Sequence, residues 1–206
     1  MNLKIYDNKI AAPVKHGTRF LDKIFDIWTD THAKTIYNDY MHESFVNKEI
    51  WFIYRDPMEH LVSALQTEII NNGVSDLTIS DVISNFIRIE GTSHWDRDIL
   101  KELYYVWNRV YDKGFNVVEL KELSNLLIEL GYNVPEFDYQ EFQFQHLHNW
   151  ISKEDVVLLV KTNFPKEWEY LMSIVESENQ FYYKLINKII TPIEYPIIKK
   201  PTIKLI

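Results

Sequence analysis

The chain has 206 residues, 46% of them hydrophobic and 15% aromatic, with a formal net charge of -8 at pH 7 and no cysteine. This size allows one domain with a sizeable core, and the acidic balance argues against broad electrostatic binding to nucleic acid. The lack of cysteine excludes disulfides, a thiol nucleophile and thiolate metal sites. No apolar run approaches the roughly 20 residues that span a bilayer, and the first residues lack a secretory pattern, so we expect a soluble, cytoplasmic protein without membrane contacts.

Short apolar runs alternate with helical patterns along the sequence. The runs predict strands at residues 9–12, 34–40, 49–54 and 115–120. Strands separated by helices favour an α/β fold. We expect a single domain with a central parallel sheet, flanking helices and a helix-rich second half, followed from about residue 191 by an extended Pro-rich tail.

Several helices are indicated by apolar residues at helical spacing. The best supported begins at Pro57 and has apolar residues at 58, 61, 62, 65 and 69. Others are predicted from about Asp98, over residues 123–130 before Gly131, and after Ser152, where Asp155 completes a capping-box pattern.

The first functional pattern follows the first of these strands. Residues 15–19 read Lys-His-Gly-Thr-Arg and lead into an apolar helical segment. A turn between a strand and a helix presents free backbone N–H groups and the positive end of the helix dipole, which suits a phosphate or sulfate. A Walker A loop would have its lysine after the second glycine, whereas Lys15 precedes Gly17.

The second functional pattern follows the strand at 49–54. Arg55 ends that strand, Asp56 and Pro57 turn the chain, and Ser63 lies eight residues after Arg55 on the polar face of the next helix. The carboxyl end of a strand is where open α/β sheets bind ligands. An arginine and a hydroxyl converging there predict a phosphate clamp.

Together the two patterns resemble those of sulfotransferases that use 3′-phosphoadenosine-5′-phosphosulfate (PAPS). Lys-x-Gly-Thr before a helix is similar to their 5′-phosphosulfate loop, and Arg-Asp-Pro with the later serine is similar to their 3′-phosphate motif. The resemblance spans residues 9–65, about a quarter of the chain, and looks closest to carbohydrate O-sulfotransferases. It implies a P-loop-like fold, PAPS as donor without a metal, and an acceptor with a free hydroxyl, in particular a carbohydrate or small molecule. It also implies cofactor contacts from Lys15, His16, Gly17, Thr18, Arg19, Arg55 and Ser63.

Sulfuryl transfer needs in-line attack, a base for the acceptor proton, and cations that stabilise the developing charge. Residues 41–45 resemble the His-x-Ser-Phe/Tyr segment of uronyl 2-O-sulfotransferases, which implies His42 as the base. Lys15 would stabilise the charge on the bridging oxygen as the second catalytic residue. The alternatives to His42 are Glu43, Glu68 and His32.

Alternative interpretations apply to several other residues and to the class of protein. His94 and Trp95 resemble a pair in some carbohydrate sulfotransferases, but the residues after them depart from that pattern, and a buried helix start is the other interpretation. No third ligand accompanies His146 and His148, so no metal site is expected. The alternative functions are a P-loop nucleotide kinase or NTPase, for which no convincing Walker B acid is present, and a non-catalytic nucleotide- or glycan-binding protein.

Overall fold

A computed structural model of the chain describes residues 3–7, 9–13, 16–25, 50–72, 76–88, 115–134 and 151–187. The strands are β1 Leu3–Tyr6, β2 Ile10–Pro13, β3 Ile50–Tyr54 and β4 Phe115–Glu119. The helices are α1 Thr18–Ile24, α2 Pro57–Asn72, α3 Asp76–Arg88, α4 Leu123–Glu129, α5 Lys153–Asn163 and α6 Pro165–Ile186, with a 3₁₀ turn at Leu120–Glu122 before α4.

The four strands form one sheet in the order β1-β2-β3-β4. Strands β2, β3 and β4 run parallel to one another, whereas β1 runs antiparallel to β2. A turn in which the Lys9 N–H donates to the Tyr6 carbonyl joins β1 to β2 (2.9 Å). The predicted α/β class and parallel sheet are confirmed, while β1 was not predicted.

The core occupies both faces of the sheet, because successive side chains of a strand point to opposite sides. In β3, Phe52 and Tyr54 pack with α2, α3, α5 and α6. Trp51 and Ile53 pack on the other face with α1 and α4. Burial of the large apolar residues on both faces supplies most of the driving force for folding.

Two long helices begin at side-chain caps. The Glu59 N–H donates to Asp56 Oδ1 at 2.9 Å, and Pro57 at the first helical position has no N–H that needs a partner. At α5, the Asp155 N–H donates to Ser152 Oγ at 3.0 Å. The capping predicted at Ser152 is confirmed, and local chemistry explains why α2 and α5 start where they do.

Three of the four predicted strands are confirmed, as β2, β3 and β4. The helices predicted after Pro57 and before Gly131 are also confirmed, as α2 and α4. The strand predicted at 34–40, the helix predicted from Asp98 and the tail from about residue 191 lie outside the described residues. Within the described ranges, no helix is both long and apolar enough to cross a membrane.

Candidate functional site

The two predicted phosphate-binding segments leave the sheet at the same edge. Strands β2 and β3 are parallel neighbours, so their carboxyl ends, at Pro13 and Tyr54, lie side by side. The turn from β2 to α1 includes His16 and Gly17, and the turn from β3 to α2 begins with Arg55. The carboxyl edge of a parallel sheet is the usual ligand side of open α/β folds.

The turn from β2 to α1, which we call the first turn, depends on a glycine. The His16 N–H donates to the Pro13 carbonyl at 3.0 Å, and the Leu21 N–H donates to the Gly17 carbonyl at 3.0 Å. Gly17 has φ 82, in the left-handed region, and α1 begins without a side-chain cap. Thr18 is buried, whereas Arg19 on the same helix is exposed. Among residues 16–19, Arg19 is therefore the one with an exposed side chain.

The imidazole of His16 lies inside the protein. It is fully buried, and its Nδ1 is 2.9 Å from the carbonyl oxygen of Ile53. Because a carbonyl only accepts, Nδ1 carries the proton and Nε2 has the lone pair. Nε2 is buried and has no hydrogen-bond partner among the described residues.

The His16 ring is neutral at physiological pH. Burial lowers its pKa to about 3, since the charged form is poorly solvated there, and the hydrogen bond to Ile53 opposes this only in part. The positive charge of Arg55 also lowers the pKa of His16. The two predicted segments are thus within electrostatic range of each other.

The turn from β3 to α2, which we call the second turn, contains a buried arginine. Arg55 is 4% exposed, and its Nε lies 3.9 Å from Oε2 of the largely exposed Glu59. Asp56 and Pro57 of the Arg-Asp-Pro motif have a structural role, because they begin α2. The part of the motif that helix initiation does not explain is Arg55 with Ser63.

The polar side of α2 faces the protein interior. His60 and Ser63 are buried at 1% and 9% exposure. Gln66 is buried as well, and its Nε2 donates to the Ile151 carbonyl at 2.7 Å. Ser63 therefore lies in a polar layer covered by neighbouring elements rather than on an open helix surface.

Helix α6 adds an acid and a phenol to this buried layer. Glu178 and Tyr182 are 1% and 2% exposed. The Tyr182 ring is 4.6 Å from that of Tyr54, centroid to centroid, and 6.4 Å from that of His16. The rings of His16 and His60 meet edge to face at 4.7 Å. We call His16, His60, Glu178 and Tyr182 the buried polar cluster.

The pKa of the Glu178 carboxyl is strongly perturbed. Burial, with the negative charge of Asp56 as a smaller cause, raises its pKa to about 8. The side chain is therefore mainly protonated at neutral pH, and it adds no charge beneath the two turns. Its Oε1 has no hydrogen-bond partner within the part of the chain that the structure describes.

Sequence reasoning did not single out Glu178. The buried positions of α6 recur every three or four residues, as expected for one helical face. They include Trp168, Leu171, Val175, Glu178, Tyr182 and Leu185. A carboxylate within such an otherwise apolar and aromatic series was the signal that could have identified it.

The remaining predicted site residues lie either on α2 or outside the described residues. Glu68, an alternative base, lies on α2 and is half-buried. Outside the described residues lie Lys15, His32, His42, Glu43, His94 and Trp95. In the described ranges, no group of three or more His, Asp or Glu side chains could hold a metal ion.

Comparison of the chain with models of known protein families, with curated proteins and with solved structures finds no match. The residues and geometry of the two turns are therefore the basis for assigning a function to this chain.

Proposed function

We propose that this chain is a PAPS-dependent sulfotransferase with a P-loop-like sulfotransferase fold. It would transfer the sulfuryl group to a hydroxyl of an acceptor, and the resemblance favours a carbohydrate. The observation that carries the proposal is the meeting of both motifs at one edge of parallel strands, where the His16 side chain bonds to the Ile53 carbonyl at 2.9 Å. A single nucleotide with phosphates at its 3′ and 5′ positions needs two such sites close together.

The residues divide into two groups in this proposal. Lys15, Thr18 and Arg19 bind the 5′-phosphosulfate together with the backbone of the first turn. Arg55 and Ser63 bind the 3′-phosphate. Arg55 is 4% exposed, so its guanidinium acts in surroundings of low dielectric constant, where attraction to a phosphate is stronger than in water.

The reaction is an in-line displacement at sulfur. The acceptor oxygen attacks the sulfur, the bond between sulfur and the 5′-phosphate oxygen breaks, and adenosine 3′,5′-bisphosphate leaves. His42 takes the acceptor proton, with Glu43, Glu68 and His32 as alternatives, and Lys15 stabilises the charge on the bridging oxygen. Charge and atoms balance without a further reactant.

The decisive experiment is calorimetric titration with adenosine 3′,5′-bisphosphate in the absence of added metal. We expect the wild type to bind and Arg55→Ala to bind about 10- to 100-fold more weakly, because a charged hydrogen bond is lost. Arg55→Lys should fall between the two, since it keeps the charge but loses the planar fork. Lys161→Ala is the matched control, because it removes an exposed positive charge from α5.

The outcomes separate the alternatives. Failure of the wild type to bind the bisphosphate would contradict the proposal, and Mg²⁺-dependent binding of a nucleoside triphosphate would then favour a kinase or NTPase. Binding without sulfate transfer to any hydroxyl acceptor would favour a non-catalytic protein. If Arg55→Ala does not fold, Ser63→Ala and Arg55→Lys test the same site with smaller changes.

A further inference from the structure

One side chain joins the two turns of the candidate site. His16 belongs to the first turn, immediately after Lys15 and two residues before Thr18. Its Nδ1–H donates to the carbonyl of Ile53, which is two residues before Arg55. The hydrogen bond therefore links the first turn to the end of β3, directly before the second turn.

Packing holds the His16 ring from several directions. It meets the His60 ring of α2 in an edge-to-face arrangement, with 4.7 Å between the ring centroids. The Tyr182 ring of α6 is 6.4 Å away, and the side chain is fully buried. A ring fixed against β3, α2 and α6 has little freedom to change position.

We infer that His16 is a positioning residue that sets the separation between the two phosphate-binding turns. This inference rests on the proposed function and adds to it a role that operates through geometry rather than contact with the ligand. A neutral, fully buried imidazole cannot neutralise a phosphate at the surface. The length of its hydrogen bond, by contrast, directly limits how far the first turn can move from β3.

The consequence is specific to ligands with two phosphates. When one phosphate is bound, the second binds with an advantage that depends on how well the two sites match the span of the ligand. Loss of the His16 hydrogen bond should weaken this advantage. It should leave the affinity of each turn for a single phosphate nearly unchanged.

The experiment compares His16→Asn with His16→Leu, because the two side chains have the same branching and differ mainly in hydrogen bonding. The amide of Asn can donate from nearly the same position as imidazole Nδ1. The ligands are adenosine 3′,5′-bisphosphate, adenosine 5′-monophosphate and adenosine 3′-monophosphate. We expect His16→Leu to lose roughly tenfold in bisphosphate affinity, and His16→Asn to lose about threefold or less. Neither variant should change monophosphate affinity by more than about threefold.

Three results would overturn the inference while leaving the proposed function intact. One is a wild-type preference for the bisphosphate that His16→Leu retains. Another is an equal loss for all three nucleotides, which would indicate general damage to both turns rather than loss of the link between them. The third is a ¹⁵N spectrum of the wild type with the His16 proton on Nε2. If the wild type binds no bisphosphate, the proposed function fails, and the inference fails with it.

A folding control accompanies these titrations. Thermal unfolding should show that each variant is folded at the temperature of the measurement. If His16→Leu is not folded, His16→Gln replaces it, because glutamine is one carbon longer than asparagine and cannot place its amide at the Nδ1 position. His16→Gln should then show the selective loss of bisphosphate affinity that His16→Asn does not.

Discussion

The two turns at the carboxyl edge of the sheet are built in different ways. The second turn is fixed by its own residues, since Asp56 caps α2 through the Glu59 N–H and Pro57 occupies the first helical position. The first turn has no side-chain cap, and Gly17 adopts a left-handed conformation. Its anchor is the His16 side chain, which is bonded to the neighbouring strand.

The difference shows two ways in which a short turn can be held in its conformation. A turn that starts a helix of 16 residues has enough local structure to keep its shape. A turn that starts a helix of seven residues depends on tertiary contacts, because short helices have little stability of their own. Substitutions in the two turns should therefore differ in how strongly they affect ligand binding.

The largest expected effect comes from Glu178 beneath the second turn. Its pKa is about 8 in the folded protein against an ordinary value of 4.5, so the folded state retains a proton that the unfolded state loses. The free energy of unfolding should fall as pH rises through this interval, by about 1.4 kcal/mol per pH unit. The loss totals roughly 5 kcal/mol, of which about 2 kcal/mol falls between pH 6.5 and 8.

Urea denaturation between pH 6.5 and 8 measures this loss with only a small opposing contribution from His16. With a folded pKa of about 3 and an ordinary value of 6.5, His16 destabilises the fold mainly as pH falls through and below about 6.5. Glu178→Gln should abolish the alkaline loss because the amide cannot ionise. Glu176→Gln, at an exposed position of the same helix, should retain it. Equal pH slopes in the wild type and Glu178→Gln would disprove the assignment.

Much of the sheet and its edge could be predicted from the sequence. The apolar run before Arg55 and the Asp-Pro pair after Tyr54 are local signals for a strand end and a helix start. Because β2 and β3 have such signals and are parallel, the juxtaposition of their carboxyl ends follows from topology. The positions of both motifs at this edge were therefore predictable.

The polar interior was not predictable from local patterns. Part of the packing around His16 comes from Tyr182 of α6, a helix that begins about 100 residues further along the chain than α2. No spacing rule relates residues so far apart in sequence. The strand β1 was also missed, and its antiparallel pairing with β2 in the structure is what identifies it as a strand.

Replacing the glycine of the first turn should have an effect of intermediate size. It should also distinguish a loss of stability from a loss of ligand binding. Gly17 and Gly131 have φ 82 and 84, so an alanine at either position should cost roughly 1–2 kcal/mol through backbone strain. Gly131 ends α4, away from the candidate site, and an added Cβ there would meet no atom within 4 Å. Urea denaturation should show similar losses for both variants. Only Gly17→Ala should also weaken binding of adenosine 3′,5′-bisphosphate, and equal binding by both would indicate that the first turn is not in the site.

The smallest expected effects come from substitutions of Asp56, which has two roles in the second turn. Its Oδ1 accepts the Glu59 N–H at 2.9 Å, and its negative charge helps to raise the pKa of Glu178. Asp56→Ala loses the cap and should cost about 1 kcal/mol at pH 6. Asp56→Asn keeps a capping oxygen but removes the charge, so its stability at pH 6 should stay near that of the wild type. Without the charge the pKa of Glu178 falls, so Asp56→Asn should lose less stability than the wild type between pH 6.5 and 8. An alkaline loss as steep as that of the wild type would mean that burial alone raises the pKa of Glu178, and that Asp56 and Glu178 are electrostatically independent.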